Sequence, residues 1–500
     1  MQALADLPQA LAWLRARVPG ELRTDSRQVQ AGDAFIAWPG AATDGRRYLA
    51  QALARGAAAC LMEQEGSTPW QDLEPADRLA SLAQLKAQTG PLAAAFYAQP
   101  SAQMQVLAVT GTNGKTSTAW WLAQALQAWG HPCSVIGTLG VGVPPNLHST
   151  GLTTPDPVRL QQQLRDDVQA GRRFSAIEAS SIGIEEHRLD GTHIHLAVFT
   201  NFTQDHLDYH GSMAAYWAAK ARLFDWPGLA AAVVNVDDPQ GRQLAGQLAT
   251  RPGLDLWTCS RQGPARLHGQ LSLDAQGLQL QVRLGEQTRT VRVPMVGDYN
   301  ADNLLAVLAS LCALGASLDQ AVQACADLSP VPGRMQAVRS GTDAEPLVVV
   351  DYAHTPDALA QVLRALRPLA AHRGGALWCL VGCGGDRDRG KRPLMAQVAE
   401  QGADALVLTS DNPRSESPAA IVQDMLAGLQ AAARAQIELD RARAIGLAVA
   451  QAQPQDVILL AGKGHERTQE VAGVQHPFDD AQQALAALRQ RAHSGQEQRA

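Results

Sequence analysis

No run of about 18 or more apolar residues occurs in this chain of 500 residues, so no segment is expected to cross a membrane as a helix. A basic excess is missing too. The 42 Lys and Arg stand against 48 Asp and Glu, and the net charge of −6 leaves no electrostatic footprint for nucleic acid or an anionic lipid surface. Cysteine is sparse and unpatterned. The seven (Cys60, Cys133, Cys259, Cys312, Cys325, Cys379, Cys383) are odd in number, and no Cys or His pair stands at zinc spacing. Reduced thiols are therefore expected rather than disulfides or a zinc site. Residues 1–14 carry Asp6 and lack the basic start and apolar stretch of a secretory signal. The expected compartment is the cytoplasm, with neither nucleic acid nor membrane as partner.

What is present is an ordinary globular balance, 46% hydrophobic and 18% charged, enough to bury several cores. The length suggests about three domains of ~150 residues. Polar or proline-bearing joints divide the chain into 1–103, 104–333 and 334–500. The first joint is Ala98-Gln99-Pro100-Ser101-Ala102-Gln103, read as a linker; the second is Pro330-Val331-Pro332-Gly333-Arg334, a stiff connector. Short apolar strands alternate with helical stretches through most of the chain, the pattern of an α/β protein with wound, mostly parallel sheets. Residues 268–296 break it with period-2 alternation, which predicts a small antiparallel sheet appended to the central one.

The most telling segment is Thr110-Gly111-Thr112-Asn113-Gly114-Lys115-Thr116-Ser117. It follows an apolar run at 106–109, read as a buried strand, and opens a helix expected over 116–129. Strand, glycine turn, Lys-Thr and helix together make a phosphate cradle. Glycine lets backbone N–H groups point inward, the helix N-terminus adds partial positive charge, Lys115 reaches the terminal phosphates and Thr116 offers a hydroxyl to Mg²⁺. A nucleoside triphosphate is the expected ligand.

Other polar groups follow predicted strands, where ligands bind in open α/β sheets. Glu178, in Glu178-Ala179-Ser180-Ser181, is a strand-end carboxylate suited to Mg²⁺. Residues 200–210 hold two His and two Asp within a short span, with His206 the best candidate for a magnesium or phosphate site. On helical spacing alone, Lys220 reads as a snorkelling surface lysine. Asn300 and Asn303 share a helix face, and capping by Asn300 explains that segment equally well. In the last block, loops at 351–354, 382–392, 411–414 and 462–466 could converge on one small charged molecule. The Arg-rich loop suits a carboxylate, with a solvated charge run as the bland alternative.

In their order along nearly the whole chain, these motifs resemble the Mur ligases, an ATP-dependent amide-forming family of peptidoglycan precursor synthesis. The markers are TGTNGKTS at 110–117, EASS at 178–181, TNFTQDHLDYHGS at 200–212, YWAAKARLF at 216–224, GDYNADN at 297–303, PGRM at 332–335, DYAHTPD at 351–357, GCGGDRDRGKRP at 382–393, DNPRSESP at 411–418 and GKGHE at 462–466. The last two resemble the branch that adds meso-2,6-diaminopimelate to UDP-N-acetylmuramoyl-L-alanyl-D-glutamate through an acyl phosphate.

That resemblance implies an N-terminal α/β domain binding the UDP-sugar, a central P-loop ATPase-like domain and a C-terminal Rossmann-like domain binding the amino acid. It implies a nucleotide site of Gly111, Thr112, Asn113, Gly114, Lys115, Thr116, Ser117, Asn303, Arg334 and Asp351. Magnesium would be held by Thr116, Glu178, His206 and Lys220, the last carrying CO₂ as a carbamate (N6-carboxylysine), and Lys115 joins the catalytic set. The UDP-dipeptide would lie on Thr24, Ser26, Ala41, Ala42, Thr43, Thr153, Thr154, Ser180, Glu186 and Arg188. Diaminopimelate would lie on Arg387, Asp411, Asn412, Pro413, Arg414, Gly462 and Glu466. A monomer is expected. Two positions depart from the family pattern. Ile182 replaces a common His, and Glu186 replaces a common Gln, so that a water or a protonated carboxyl would mediate its contact to an anionic substrate. Competing readings are a folylpolyglutamate synthetase, a lysine-adding sibling, or a P-loop switch that hydrolyses ATP only to change shape.

Overall fold

The computed structural model describes residues 1–40, 43–274, 277–295, 297–342 and 345–497. They fall into two compact units. One comprises Met1–Gln270, Gln281–Val291 and Asp302–Asp327; the other comprises Leu271–Leu280, Arg292–Ala301 and Leu328–Ala500.

The first unit holds two sheets. The N-terminal one is five-stranded and parallel, in the order Gln2–Ala3, Leu79–Leu82, Ala59–Glu63, Ala34–Ala37, Leu22–Arg23. The central sheet is built on parallel strands in the order Asp255–Ser260, Ala231–Asn235, Ile194–Phe199, Gln105–Thr110, Phe174–Glu178, Cys133–Gly137. Antiparallel Gly140–Val143 and Asn146–His148 close one edge. The other edge runs on through Leu267–Asp274, Gly277–Leu284 and Gln287–Val293, where alternation predicted extra strands; residues of these strands are divided between the two units.

Sheets buried on both faces require continuous apolar strands. Val106, Leu107, Ala108 and Val109 accordingly have no exposed surface. Strand order then fixes the position of chemistry. Phe174–Glu178 and Ile194–Phe199 flank Gln105–Thr110, so Glu178, the 200–210 loop and the phosphate loop leave neighbouring strands on the same side.

The second unit carries a six-stranded sheet, in the order Gln336–Val338, Leu347–Asp351, Val457–Ala461, Leu377–Val381, Ala405–Leu408, Ala435–Ile437; only Gln336–Val338 runs antiparallel. Its middle four strands release the four polar loops side by side.

The 98–103 joint contains a 3₁₀ turn, Pro100–Gln103, with Pro100 and Ser101 buried. Thr355 and Ser417 each stand at the N-cap of a proline-started helix, Thr355 bonding through its side chain and Ser417 not. One local expectation is corrected. Asn300 is the second residue of the helix Tyr299–Ala313, not its cap.

Candidate active site

Glycine is required twice in the phosphate loop. Gly111 has φ +143° and a Cβ there would stand 1.9 Å from Thr200 Oγ1; Gly114 has φ +84° and its Cβ would stand 2.3 Å from Asn303 Oδ1. Left-handed backbone and close approach both exclude a side chain. The next loop clamps this one. Thr112 N–H donates to the Asn201 carbonyl and Asn113 N–H to Asn201 Oδ1, while Thr200 Oγ1 donates to the Asn113 carbonyl at 2.6 Å.

The helix Lys115–Ala128 starts directly after Gly114. Thr116 Oγ1 donates to Glu178 Oε2 at 2.9 Å, and Glu178, 1% exposed, also accepts from Thr138 N–H at 2.8 Å and Thr138 Oγ1 at 3.1 Å. Ser117 is buried in the first turn of that helix. Lys115 Nζ donates to the carbonyls of Gly111 and Thr112.

Lys220 is 1% exposed, which overturns its reading as a surface lysine. Its Nζ donates to the Gly111 carbonyl at 2.7 Å and lies 4.4 Å from the centre of the Tyr216 ring. Burial, reinforced by the charge of Lys115, pulls its pKa well below the ordinary lysine value. His206 sits in left-handed backbone, φ +51°, with its ring 6.0 Å from that of Tyr216 and 3.4 Å from Asp205.

A hydroxyl-rich wall adjoins Glu178. Thr154 Oγ1 donates to the Glu178 carbonyl at 2.7 Å and contacts Ser180 Oγ at 3.0 Å; Thr153 Oγ1 meets Thr138 Oγ1 at 3.0 Å; Arg188 donates to the Thr154 carbonyl at 3.0 Å. Glu186 takes an ion pair from Lys86 at 2.7 Å and a hydrogen bond from Tyr209 at 2.6 Å. Burial pushes its carboxyl up, but Lys86, Tyr209 and Arg188 outweigh that and hold it below the usual carboxylate value. The ion pair and the hydrogen bond thus favour the carboxylate form of Glu186 over the protonated one. On the N-terminal sheet, Ser26 is buried and donates to Gln51, Thr24 is half-buried and Thr43 is exposed. Ala41 and Ala42 lie outside the described residues.

In the second unit, Asp351 is buried and accepts from Met335 N–H at 2.7 Å and Ala353 N–H at 2.9 Å. Burial raises its pKa against the pull of Arg334, whose guanidinium stands 4.8 Å from the Tyr352 ring centre. His465 packs on that ring too, and burial with the Arg334 charge lowers its pKa to about 4.

The neighbouring loops converge on one another. Lys463, fully buried, donates to Asn412 Oδ1 and Glu466 Oε2, both at 3.0 Å, while Asn412 Nδ2 donates to Glu466 Oε2 at 2.7 Å. Asp411 lies against Gly462, where a Cβ would stand 2.5 Å from Asp411 Oδ2, and burial raises its pKa. Arg414, also in left-handed backbone, donates to the Gly385 carbonyl at 2.7 Å, and its Nε lies 3.5 Å from Glu470. Pro413 precedes it, its carbonyl 1.9 Å from where a Gly385 Cβ would be. The Arg-rich loop is mostly committed internally. Arg392 is buried on Glu416 and Asp424, and Arg389 also reaches Glu416, while Arg387 is exposed.

Three family models match along the chain: "Mur ligase family, catalytic domain" at 21–92, "Mur ligase middle domain" at 109–311 and "Mur ligase, glutamate ligase domain" at 333–464. A UDP-N-acetylmuramoyl-L-alanyl-D-glutamate--2,6-diaminopimelate ligase of Acidovorax sp. (strain JS42) is 56% identical over 98% of this chain and 99% of its own length. The chain belongs to the Mur ligase family. A protein of the same name from Janthinobacterium sp. (strain Marseille) is 48% identical over 98% of each chain. A solved structure of a ligase of that name aligns with TM-score 0.67 at 38% identity, covering 95% of each chain.

As a Mur ligase the chain has the family's three-domain architecture. Two residues around its site carry no motif signal: Lys86 and Thr138 lie in unremarkable sequence. Lys463 lies within the GKGHE segment, and only the structure shows its amine buried between Asn412 and Glu466.

Proposed function

We propose that this Mur ligase uses ATP to join meso-2,6-diaminopimelate to UDP-N-acetylmuramoyl-L-alanyl-D-glutamate in peptidoglycan precursor synthesis, with domains at 1–103, 104–333 and 334–500. The observation that carries the reading is Thr116 bonded to buried Glu178 directly behind the phosphate loop, in a chain 56% identical to a ligase named for those substrates.

The γ-carboxylate of the D-glutamyl residue attacks the γ-phosphorus of ATP, forming an acyl phosphate and releasing ADP. The amine of diaminopimelate then attacks the acyl carbon, and phosphate leaves from the tetrahedral intermediate as the amine loses its proton. A carboxylate is an unreactive acyl donor, so ATP supplies the leaving group. Lys115, with the N–H groups of residues 111–117, stabilises negative charge on the phosphates; Asn303, Arg334 and Asp351 hold the nucleotide. Thr24, Ser26 and the 41–43 segment hold the UDP-sugar, and Thr153, Thr154, Ser180, Glu186 and Arg188 its dipeptide. Arg387, residues 411–414, Gly462 and Glu466 hold the amino acid.

The residues present fit magnesium. Glu178 and Thr116 are hard oxygen donors, and among the described residues no cluster of three or more His, Cys, Asp or Glu could hold a metal alone. Phosphates, a Lys220 carbamate and His206 would complete the set. Bound there, magnesium would neutralise phosphate charge. A Lys220 carbamate fits as well, because a lysine with depressed pKa presents the neutral amine that CO₂ requires. A cytoplasmic monomer completes the reading; no helix among the described residues is long and apolar enough to cross a membrane.

The test is an ATP-dependent assay of the UDP-dipeptide against a panel of diamino acids, read by product mass. Phosphate release that needs both substrates, with the diaminopimelate adduct as product, is expected. Release without either substrate would leave a nucleotide switch, and a lysine adduct would leave the sibling activity.

A further inference from the structure

Lys86 and Glu186 meet from two different helical segments of the first unit. Lys86 is the second residue of the helix Leu85–Phe96, whose start is held by Glu63 accepting from Gln84 N–H at 3.1 Å and Leu85 N–H at 2.7 Å. Gly90 lies one turn on and on the same face. There the helix touches the 190–191 turn backbone to backbone: a Cβ on Gly90 would stand 2.0 Å from the Asp190 carbonyl oxygen. Glu186 lies just before that turn, beyond the helix Ser181–Glu185. The glycine contact therefore sets the distance at which Lys86 reaches Glu186, and both carboxylate oxygens are used, one by Lys86 and one by Tyr209.

Glu186 is a carboxylate in a wall that also contains Thr154, Ser180 and Arg188. Under the function proposed above, on which this inference rests, that wall receives a substrate bearing carboxylates and a diphosphate. An unpaired anion there would repel it.

We propose that Lys86 is a specificity-determining residue of the dipeptide wall: its ammonium cancels Glu186, so that Arg188 faces the substrate as net positive charge. Lys86 acts through Glu186 and is a positioning and neutralising group rather than a catalytic one.

The test is a cycle of Lys86→Met, Glu186→Gln and the double variant, with KM measured separately for the UDP-dipeptide, ATP and diaminopimelate. Lys86→Met alone is expected to raise the UDP-dipeptide KM about tenfold, with kcat and the other KM values within about twofold. In the Glu186→Gln background the same change should cost less than about threefold, and Lys86→Arg should stay within about threefold of wild type. Equal penalties in the two backgrounds would mean that Lys86 binds substrate directly, and no penalty in either would mean a solvated pair; each overturns the proposal. A parallel rise in all KM values, or a lower melting temperature that Lys86→Arg shares, would mark a structural role and overturn it as well. Wild-type turnover of the UDP-dipeptide tests the function itself; only the contrast between backgrounds tests the pair.

Discussion

Lys115 and Lys220 share one acceptor: both side-chain nitrogens donate to the carbonyl of Gly111, at 2.9 and 2.7 Å. Two ammonium groups on one carbonyl repel each other, and the buried one gives way. Lys220 is the buried one, and its proton is the easier to lose. The phosphate loop thus couples Lys115, proposed above to meet phosphate, to Lys220, which would take up CO₂.

Lys115→Ala is expected to lower turnover by ~10²–10³, the usual cost of removing one preorganised electrostatic contact. Its melting profile should stay native, since the Lys115 amine is held by the carbonyls of its own loop, Gly111 and Thr112. Near-normal phosphate release from a natively folded variant would refute the phosphate role.

Lys220→Ala should be nearly inactive, with short carboxylic acids restoring part of the rate. Stability offers a second check, in CO₂-free buffer without nucleotide. Between the depressed folded pKa and the unfolded value of ~10.4, the unfolded chain binds more protons at this amine than the folded one. Stability therefore rises with pH through that window. The burial cost is fully present below the folded pKa and gone above the unfolded one. Lys220→Met should raise the melting temperature at low and neutral pH, and the gain should shrink towards pH ~10. A gain independent of pH would contradict the depressed amine.

Arg414→Ala should raise the KM for diaminopimelate steeply and leave the KM for ATP almost unchanged. The hairpin Thr468–Val471 and Val474–Pro477 pins the Arg414 backbone, which donates to the Glu470 carbonyl and accepts from Ala472 N–H. A guanidinium held in this way offers a fork to the distal carboxylate that lysine lacks. Wild type should prefer diaminopimelate over lysine by about 10⁴–10⁵, as polar-pair sites do. Kinetics with both amino acids decide it: unchanged selectivity in Arg414→Ala would move the determinant elsewhere.

Arg441 and Asp480 form a fully buried pair, at 2.6 and 2.7 Å, and Arg441 also donates to the carbonyls of Ala461 and Ser410, where two of the polar loops begin. Arg441→Met leaves Asp480 buried and alone and should cost about 3–5 kcal/mol in denaturant unfolding. Adding Asp480→Leu should recover part of that loss. A double variant less stable than Arg441→Met would show that the pair's charge is not the dominant cost.

The amino-acid sequence by itself determined the local geometry of the nucleotide site. A glycine turn between an apolar strand and a helix is set by neighbours within a few residues, so 106–117 could be read as a cradle without any partner in view. Unbroken apolar runs likewise marked the central strands, because a sheet covered on both faces leaves no polar position. Tertiary structure decided the rest. Helical spacing marked Lys220 as a surface residue, but its acceptor lies 109 positions away at Gly111, and periodicity within one helix carries no record of such a contact. Arg392 and Arg389 read as a charge run open to a ligand until Glu416 and Asp424 were brought against them by the next strand and helix. Glu186 looked like a misplaced charge until Lys86 arrived from the helix Leu85–Phe96. Whether an ionisable side chain is buried, paired or free depends on which distant segments pack around it, and spacing along the chain does not encode that.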